Sequence, residues 1–249
     1  MDIILYNIIT ILSALIFGYF FGSIPTGVIL CRLFYGKDPR DFGSKNSGGT
    51  NVGRIFGKKM GAATIILDAI KTIFPMVFVY LILNFAGLKE VFIKNFGENF
   101  YHNGLTMLVV APLGATIGHC WPIFAHFKGG KAVASFAGFA IATSWITFGL
   151  SFVAFIVTLK ISKHVSLSSI IGSSVVMLSG WIMYILGVCI PNLNVNFAFW
   201  GFGSDVSWVV SSLEFAIVST LIFVILVVRH KTNIKRLASH TESKIQWMK

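Results

Sequence analysis

Charge is scarce in this sequence. Asp, Glu, Lys and Arg make up 12% of its 249 residues, about half the share of an ordinary soluble domain, too little to cover a water-soluble surface. Acidic side chains are scarcer still, nine against twenty basic ones, which argues against chemistry that needs paired carboxylates. The three cysteines, Cys31, Cys120 and Cys189, are isolated, odd in number and without CxxC spacing. That argues against a disulfide framework or a zinc site, and inert thiols are expected. The first apolar run follows Asp2 with no basic segment before it and no small-residue cleavage site, so it reads as a retained helix rather than a removed signal peptide.

What the chain has instead is apolar length. It is 55% hydrophobic with 24 Phe, its mean hydropathy is +0.81, and its apolar runs repeatedly reach the roughly 20 residues that a helix needs to cross a bilayer. The fold class read from this is all-α, a polytopic membrane helix bundle. Seven spans are expected, at 4–30, 58–84, 105–124, 131–144, 146–160, 167–190 and 207–229. The stretch from Lys131 to Lys160 is too long for one span and short for two, so it is split near Ser144 into two tilted or short helices.

The net charge of +11 would suggest nucleic acid in a soluble protein, but here it resides in alternate loops. Arg32, Lys37, Arg40, Lys45, Arg54, Lys58 and Lys59 lie in the first loop, Lys128 and Lys131 in the third, Lys160, Lys163 and His164 in the fifth. Arg229, Lys231, Lys235, Arg236, Lys244 and Lys249 lie in the tail. The positive-inside rule then places these loops and the C-terminus in the cytoplasm and the N-terminus outside. The loops around 85–104 and 190–206 fall on the outer side and suggest no role. No internal repeat, linker or low-complexity tract is present, so residues 1–249 read as a single domain. The broken, paired segments of a transporter with inverted repeats are not evident either.

Three cytoplasmic stretches carry candidate chemistry. In "DPRDFGSKNSGGTNVGRIFGKK" (38–59), Gly43, Gly48, Gly49 and Gly53 permit close backbone approach, and successive amides suit an anion-binding nest. Ser44, Asn46, Thr50 and Asn51 add neutral donors, while Arg40 and Arg54 carry forks that match phosphate. A basic loop that merely sets topology is the bland alternative. It is not a Walker A loop, because Gly49 precedes Thr50 where that motif has Lys and no strand leads in, so nucleotide hydrolysis is rejected.

In "GHCWPIFAHFKGGKAVA" (118–134), Gly129 and Gly130 precede Lys131 at a helix entrance, where free amides and the helix dipole favour an anion. His119 and His126 have neither i,i+4 spacing nor a carboxylate partner in sequence, so they read as packed histidines rather than metal ligands. In the tail, "RHKTNIKRLASHTESK" (229–244), His230 and Asn233 share a face if the last span continues straight; a snorkelling basic helix end is the alternative. Within the membrane, Asp68 and Lys71 stand three apart and are expected to pair as a structural device, because unpaired charge is costly there.

Taken together, "FGSIPTG" (21–27), "GSKNSGGTNVGR" with "GKKMG" (43–61) and "GHCWPIFAHFKGGKAVA" resemble, in order and spacing, the bacterial acyl-phosphate-dependent glycerol-3-phosphate acyltransferases. "HVSLSSI" (164–170) and "RHKTNIKRL" (229–237) extend the resemblance over about residues 18–242. The chain departs from the usual family pattern at Gly49, Thr72, Ala132 and His164; Ala132 stands where glycine is usual. The resemblance implies a seven-helix, N-out enzyme of the inner (plasma) membrane that moves a fatty acyl group from acyl phosphate to the 1-hydroxyl of sn-glycerol 3-phosphate. The products are lysophosphatidic acid, at the start of phospholipid synthesis, and phosphate. It also implies catalytic roles for Ser44, Arg54, Lys131, His230 and Asn233, and substrate-binding roles for Gly43, Asn46, Thr50, Asn51 and Ser166, joined by the Gly129–Gly130 turn, gathered in one pocket at the cytoplasmic face.

No cofactor, metal or nucleic acid is expected; the partners are the two substrates and membrane lipids, with the chain a monomer. No HxxxxD pair of a familiar acyltransferase occurs. The resemblance implies instead that the donor's phosphate accepts the proton while His230 and Asn233 position substrate; an acyl-Ser44 intermediate is the alternative. A transporter for a phosphorylated solute would need cations along a path across the bilayer, yet only Lys71 lies deep in a span. A non-catalytic scaffold would leave the glycine loop unexplained.

Overall fold

The structure, a computed structural model, describes residues 3–85, 90, 91, 94, 106–190 and 212–245. The regular elements among these are helical. They are α1 (Ile3–Gly22), α2 (Thr26–Tyr35), α3 (Gly49–Phe56), α4 (Lys58–Phe85), α5 (Thr106–Cys120), α6 (Val133–Thr143), α7 (Trp145–Ser162), α8 (Val165–Cys189), α9 (Leu213–Arg229) and α10 (Lys231–Ala238), with 3-10 turns at Pro39–Asp41 and Ile123–Ala125. Five helical stretches among the described residues are long and apolar enough to cross a membrane, six if the bent pair α9–α10 counts as one span. The expected loops near 85–104 and 190–206, and the start of the span expected at 207–229, fall almost wholly outside the described residues. Packing divides the chain into two compact units, Met1–Phe139 and Ala140–Lys249.

In the first unit, α5 is the central helix, buried along almost its whole length. Helices α1 and α5 meet through small residues on both sides. Gly18 and Gly22 of α1 lie against the Ala111 and Ala115 carbonyls, and Gly114 and Gly118 of α5 against those of Leu15 and Tyr19, so close that no Cβ fits at any of the four. Each pair has GxxxG spacing, which lets backbones approach where lipid offers no hydrophobic drive for helix association. Gly49 and Gly53 of α3 serve the same end against Gly61 and Ile65 of α4.

The stretch Asn7–Tyr35 counts as one membrane-crossing candidate, in keeping with the span expected at 4–30, but its helix is interrupted between Gly22 and Thr26. Pro25 has no amide to continue a helical ladder, and the break strips the Ile24 carbonyl of a helical donor. In an apolar surrounding that oxygen needs another, and both the Thr26 amide and Lys71 Nζ supply one at 2.9 Å.

The split expected near Ser144 is present. α6 ends at Thr143, and Ser144 caps α7 by accepting the Thr147 amide. With 11 residues, α6 extends only about 16 Å, half of a hydrocarbon core. In the second unit α7 packs on α8 through Gly172, whose carbonyl accepts from Ser151 Oγ at 2.7 Å, and α8 packs on α9 through Gly180. α9 and α10 meet at His230 with a bend of 60°, so the tail helix does not continue straight. Cys31 and Cys120 are buried thiols and Cys189 an exposed one.

Candidate active site

The segment 38–48 is folded by its own polar side chains. Asn51, buried in α3, accepts the Ser44 amide at 2.9 Å and directs its Nδ2 at the carbonyls of Pro39, Phe42 and Asn46, 2.9–3.1 Å away. Gly43 turns the chain with φ +57, and the Asn51 carboxamide fills the space a Cβ would take there. Asn46 accepts the Gly48 amide at 2.7 Å. The loop thus enters α3 with the first-turn amides of Gly49 and Thr50 beyond the reach of intrahelical acceptors. Ser44 and Thr50 are exposed on it, as is Arg54 further along α3.

Arg40 lies differently from its reading as a phosphate donor. Its Nε and Nη2 hold the two oxygens of Asp38 at 3.0 and 2.7 Å, and its Nη1 donates to Ala125 O at 2.9 Å. The fork is therefore committed to the protein. Hydrogen bonding from this side chain, against partial desolvation and with the Arg40 amide and Arg32 adding to it, holds the Asp38 carboxyl down at about 2.

Two of the separated motifs meet in this unit. Arg40 reaches Ala125, and Asn46 Nδ2 donates to Gly129 O at 3.4 Å, which ties the glycine loop to the turn that carries Gly129, Gly130 and Lys131. That turn rests on His119. The His119 carbonyl accepts the Gly130 amide at 2.9 Å, and the His119 imidazole lies where a Gly130 Cβ would point. Lys131 is half-buried, and Ala132, entirely buried, takes φ +65 ahead of α6. One turn on, Ser135 is buried with a hydroxyl that meets no partner among the described residues.

Beneath the turn lies a buried ionic cluster. The expected Asp68–Lys71 pair is present at 2.9 Å. Asp68 Oδ1 also accepts from Thr26 Oγ1 at 2.5 Å and lies 3.3 Å from His119 Nδ1. The reading that His119 lacks a carboxylate partner is thus corrected: α4 supplies one from 51 positions away, a separation no local spacing reveals.

In the second unit, His230 sits at the bend, and its Nδ1 donates to Leu226 O at 2.8 Å. In the neutral ring this fixes Nε2 as the acceptor. Ser166 Oγ and Asn233 Nδ2 both donate to Glu242 Oε1, at 2.8 and 2.7 Å, and Arg236 Nε donates to Oε2 at 2.6 Å. Burial pushes the Glu242 carboxyl up, but the hydrogen bonds from Arg236, Asn233 and Ser166 outweigh it and hold it below its ordinary range. Glu242 was missed by the sequence reading. Its only signal was an acid among the bases of the tail.

These features define an integral membrane protein of apolar helices joined by glycine-rich, basic loops. The chain matches the family described as glycerol-3-phosphate acyltransferase over residues 12–240. It is 34% identical over 242 residues to the glycerol-3-phosphate acyltransferase of Ureaplasma urealyticum serovar 10, covering 95% of this chain and 91% of the relative. To that of Streptococcus gordonii it is 32% identical, covering 96% and 94%. Among solved structures it is similar to the integral membrane glycerol 3-phosphate acyltransferase PlsY in its glycerol 3-phosphate form, with a TM-score of 0.69, 28% identity and coverage of 95% and 96%. The lysophosphatidic acid form of PlsY gives a TM-score of 0.65 at 26% identity, with 95% of each chain covered. The chain belongs to the glycerol-3-phosphate acyltransferase family.

Proposed function

We propose that this chain transfers a fatty acyl group from acyl phosphate to the 1-hydroxyl of sn-glycerol 3-phosphate. The hydroxyl oxygen attacks the carbonyl carbon, the bond from that carbon to the bridging phosphate oxygen breaks, and the departing phosphate takes the hydroxyl proton. Lysophosphatidic acid and phosphate are the products. Acyl phosphate is an activated mixed anhydride, so catalysis needs chiefly two anionic head groups brought together and the transition-state charge stabilised.

The observation that carries the reading is the tie between the glycine loop and the GlyGlyLys turn through Asn46 and Gly129, which brings two cation-bearing, amide-rich segments together. Support for the product comes from the relative PlsY, which has a lysophosphatidic acid form.

In this reading Arg54 and Lys131 stabilise negative charge. Ser44, Gly43, Asn46, Thr50, Gly129 and Gly130 hold phosphate, and Asn51 serves by shaping the loop. Ser166, His230 and Asn233 position substrate, oriented by Glu242 and by the α9–α10 bend. The chain acts as one domain and as a monomer in the plasma membrane, with seven membrane segments of which α6 is the short one. Its N-terminus is outside and its site cytoplasmic, as the one-sided Lys and Arg support.

The test is purified protein given radiolabelled glycerol 3-phosphate with either acyl phosphate or acyl-CoA. Labelled lysophosphatidic acid from acyl phosphate, without added metal, is expected. No product, or product from acyl-CoA alone, overturns the donor assignment.

A further inference from the structure

The Gly129–Gly130 turn owes its two glycines to the protein as well as to any ligand. Neither residue takes a positive φ, so backbone freedom does not require them; space does. A Cβ at Gly129 would strike the His119 carbonyl and lie 2.5 Å from the Pro122 ring, and one at Gly130 would enter the His119 imidazole. The turn is pressed onto one residue, held by its carbonyl on the Gly130 amide at 2.9 Å and by its ring beneath the same glycine.

The ring in turn is held from below. His119 is 6% exposed and Asp68 3%, and Nδ1 faces Asp68 Oδ1 at 3.3 Å. Asp68 is itself fixed by Thr26 Oγ1 at the start of α2 and by Lys71 Nζ on its own helix. Lys71 continues to the Ile24 carbonyl exposed by the α1–α2 break. A chain of contacts thus runs from that break through α4 and the end of α5 to the backbone just before Lys131. Side chains that do not themselves touch ligand can orient those that do; a carboxylate on one imidazole nitrogen sets the ring plane.

We propose that His119, oriented by Asp68, is a positioning residue that sets the place of Lys131 by supporting the Gly129–Gly130 turn. The proposal rests on the reading that Lys131 engages a substrate anion. It assigns no chemistry to His119, which acts through the turn.

The test is a double-mutant cycle on purified full-length protein, with kcat and KM measured for both anionic substrates. His119→Asn keeps a polar group able to reach Asp68 but lacks the Cε1 and Nε2 atoms that meet Gly130, so it removes the support while sparing the cluster. His119→Asn and Gly130→Ala should each lower kcat/KM at least about tenfold, since misplacement by about 1 Å can cost a hundredfold. The loss should fall mainly on kcat, as for Lys131→Ala, since the residue being placed is read as stabilising charge in the transition state. Combined, they should be no worse than His119→Asn alone, because the shorter side chain makes room for the added methyl. His119→Ala provides the same cycle if the Asn variant does not accumulate as folded protein. Additive losses, or losses confined to KM with kcat unchanged, overturn the proposal. Lys131→Ala assayed alongside separates the two ideas: near-normal kinetics there sinks the underlying reading, whereas a large loss with an additive cycle sinks only the role of His119.

Discussion

The Asn51 side-chain oxygen accepts the Ser44 amide at 2.9 Å, so a residue in α3 fixes the shape of a loop seven positions before it. Because Asn51 Nδ2 faces three carbonyl oxygens, Asn51→Asp would place a carboxylate against them. It should destabilise more than Asn51→Ala, by at least about 2 kcal/mol beyond it, since a buried charge facing acceptors costs more than lost hydrogen bonds. Thermal midpoints in detergent, compared across wild type, Ala and Asp, check the order; equal midpoints for the two variants would contradict it.

The α1–α5 crossing allows no side chain at its glycines, since backbone oxygens occupy the space. Gly18→Val and Gly114→Val should each cost about 3 kcal/mol or more, the upper range for overpacking, because backbone cannot step aside as a rotamer can. Gly149 has open space around it, so Gly149→Ala should leave the thermal midpoint unchanged or raised and serves as the control.

At Ala132, opposing effects nearly cancel. A left-handed alanine costs roughly 1–2 kcal/mol. Glycine would relieve this, but would forfeit a buried methyl worth about 0.8 kcal/mol and loosen the unfolded chain by about 0.4–1 kcal/mol. Ala132→Gly should therefore change stability by no more than about 1 kcal/mol. Ala132→Val, β-branched at positive φ and fully buried, should cost at least about 3 kcal/mol. Chemical or thermal unfolding of the two variants reads both outcomes.

Asp38 makes the first loop acid-sensitive. Its folded value of about 2 lies below the ordinary 3.8. Its contribution is therefore complete above about pH 4 and is lost as the pH falls toward 2. Asp38→Asn should lower the thermal midpoint at pH 6 and converge on wild type as the pH approaches 2. A constant offset over that range would place the effect elsewhere.

Much of this was legible because it is local. The Lys131–Lys160 run was too long for one helix, and Ser144 could cap its second half. Asp68 and Lys71 had to pair because they are three apart in an apolar helix. The break at Ser23–Pro25 escaped because apolar residues continue on both sides of it, although Pro25 carried the signal. What local spacing does not encode is which distant partner arrives. His119 meets Asp68, Asn46 meets Gly129, and Glu242 meets Ser166 only after helices pack. Arg40 is the converse case, a fork suited to phosphate that a nearby carboxylate and the Ala125 carbonyl had already engaged.

The most direct measurement of the central claim, that the cations of the glycine loop and the GlyGlyLys turn stabilise the transition state, is kcat/KM for Arg54→Ala and Lys131→Ala with acyl phosphate and glycerol 3-phosphate. Each should fall at least about 100-fold while the thermal midpoint holds, the scale of losing one preorganised donor. Near-normal turnover in either variant would contradict the account and remove that residue from the site.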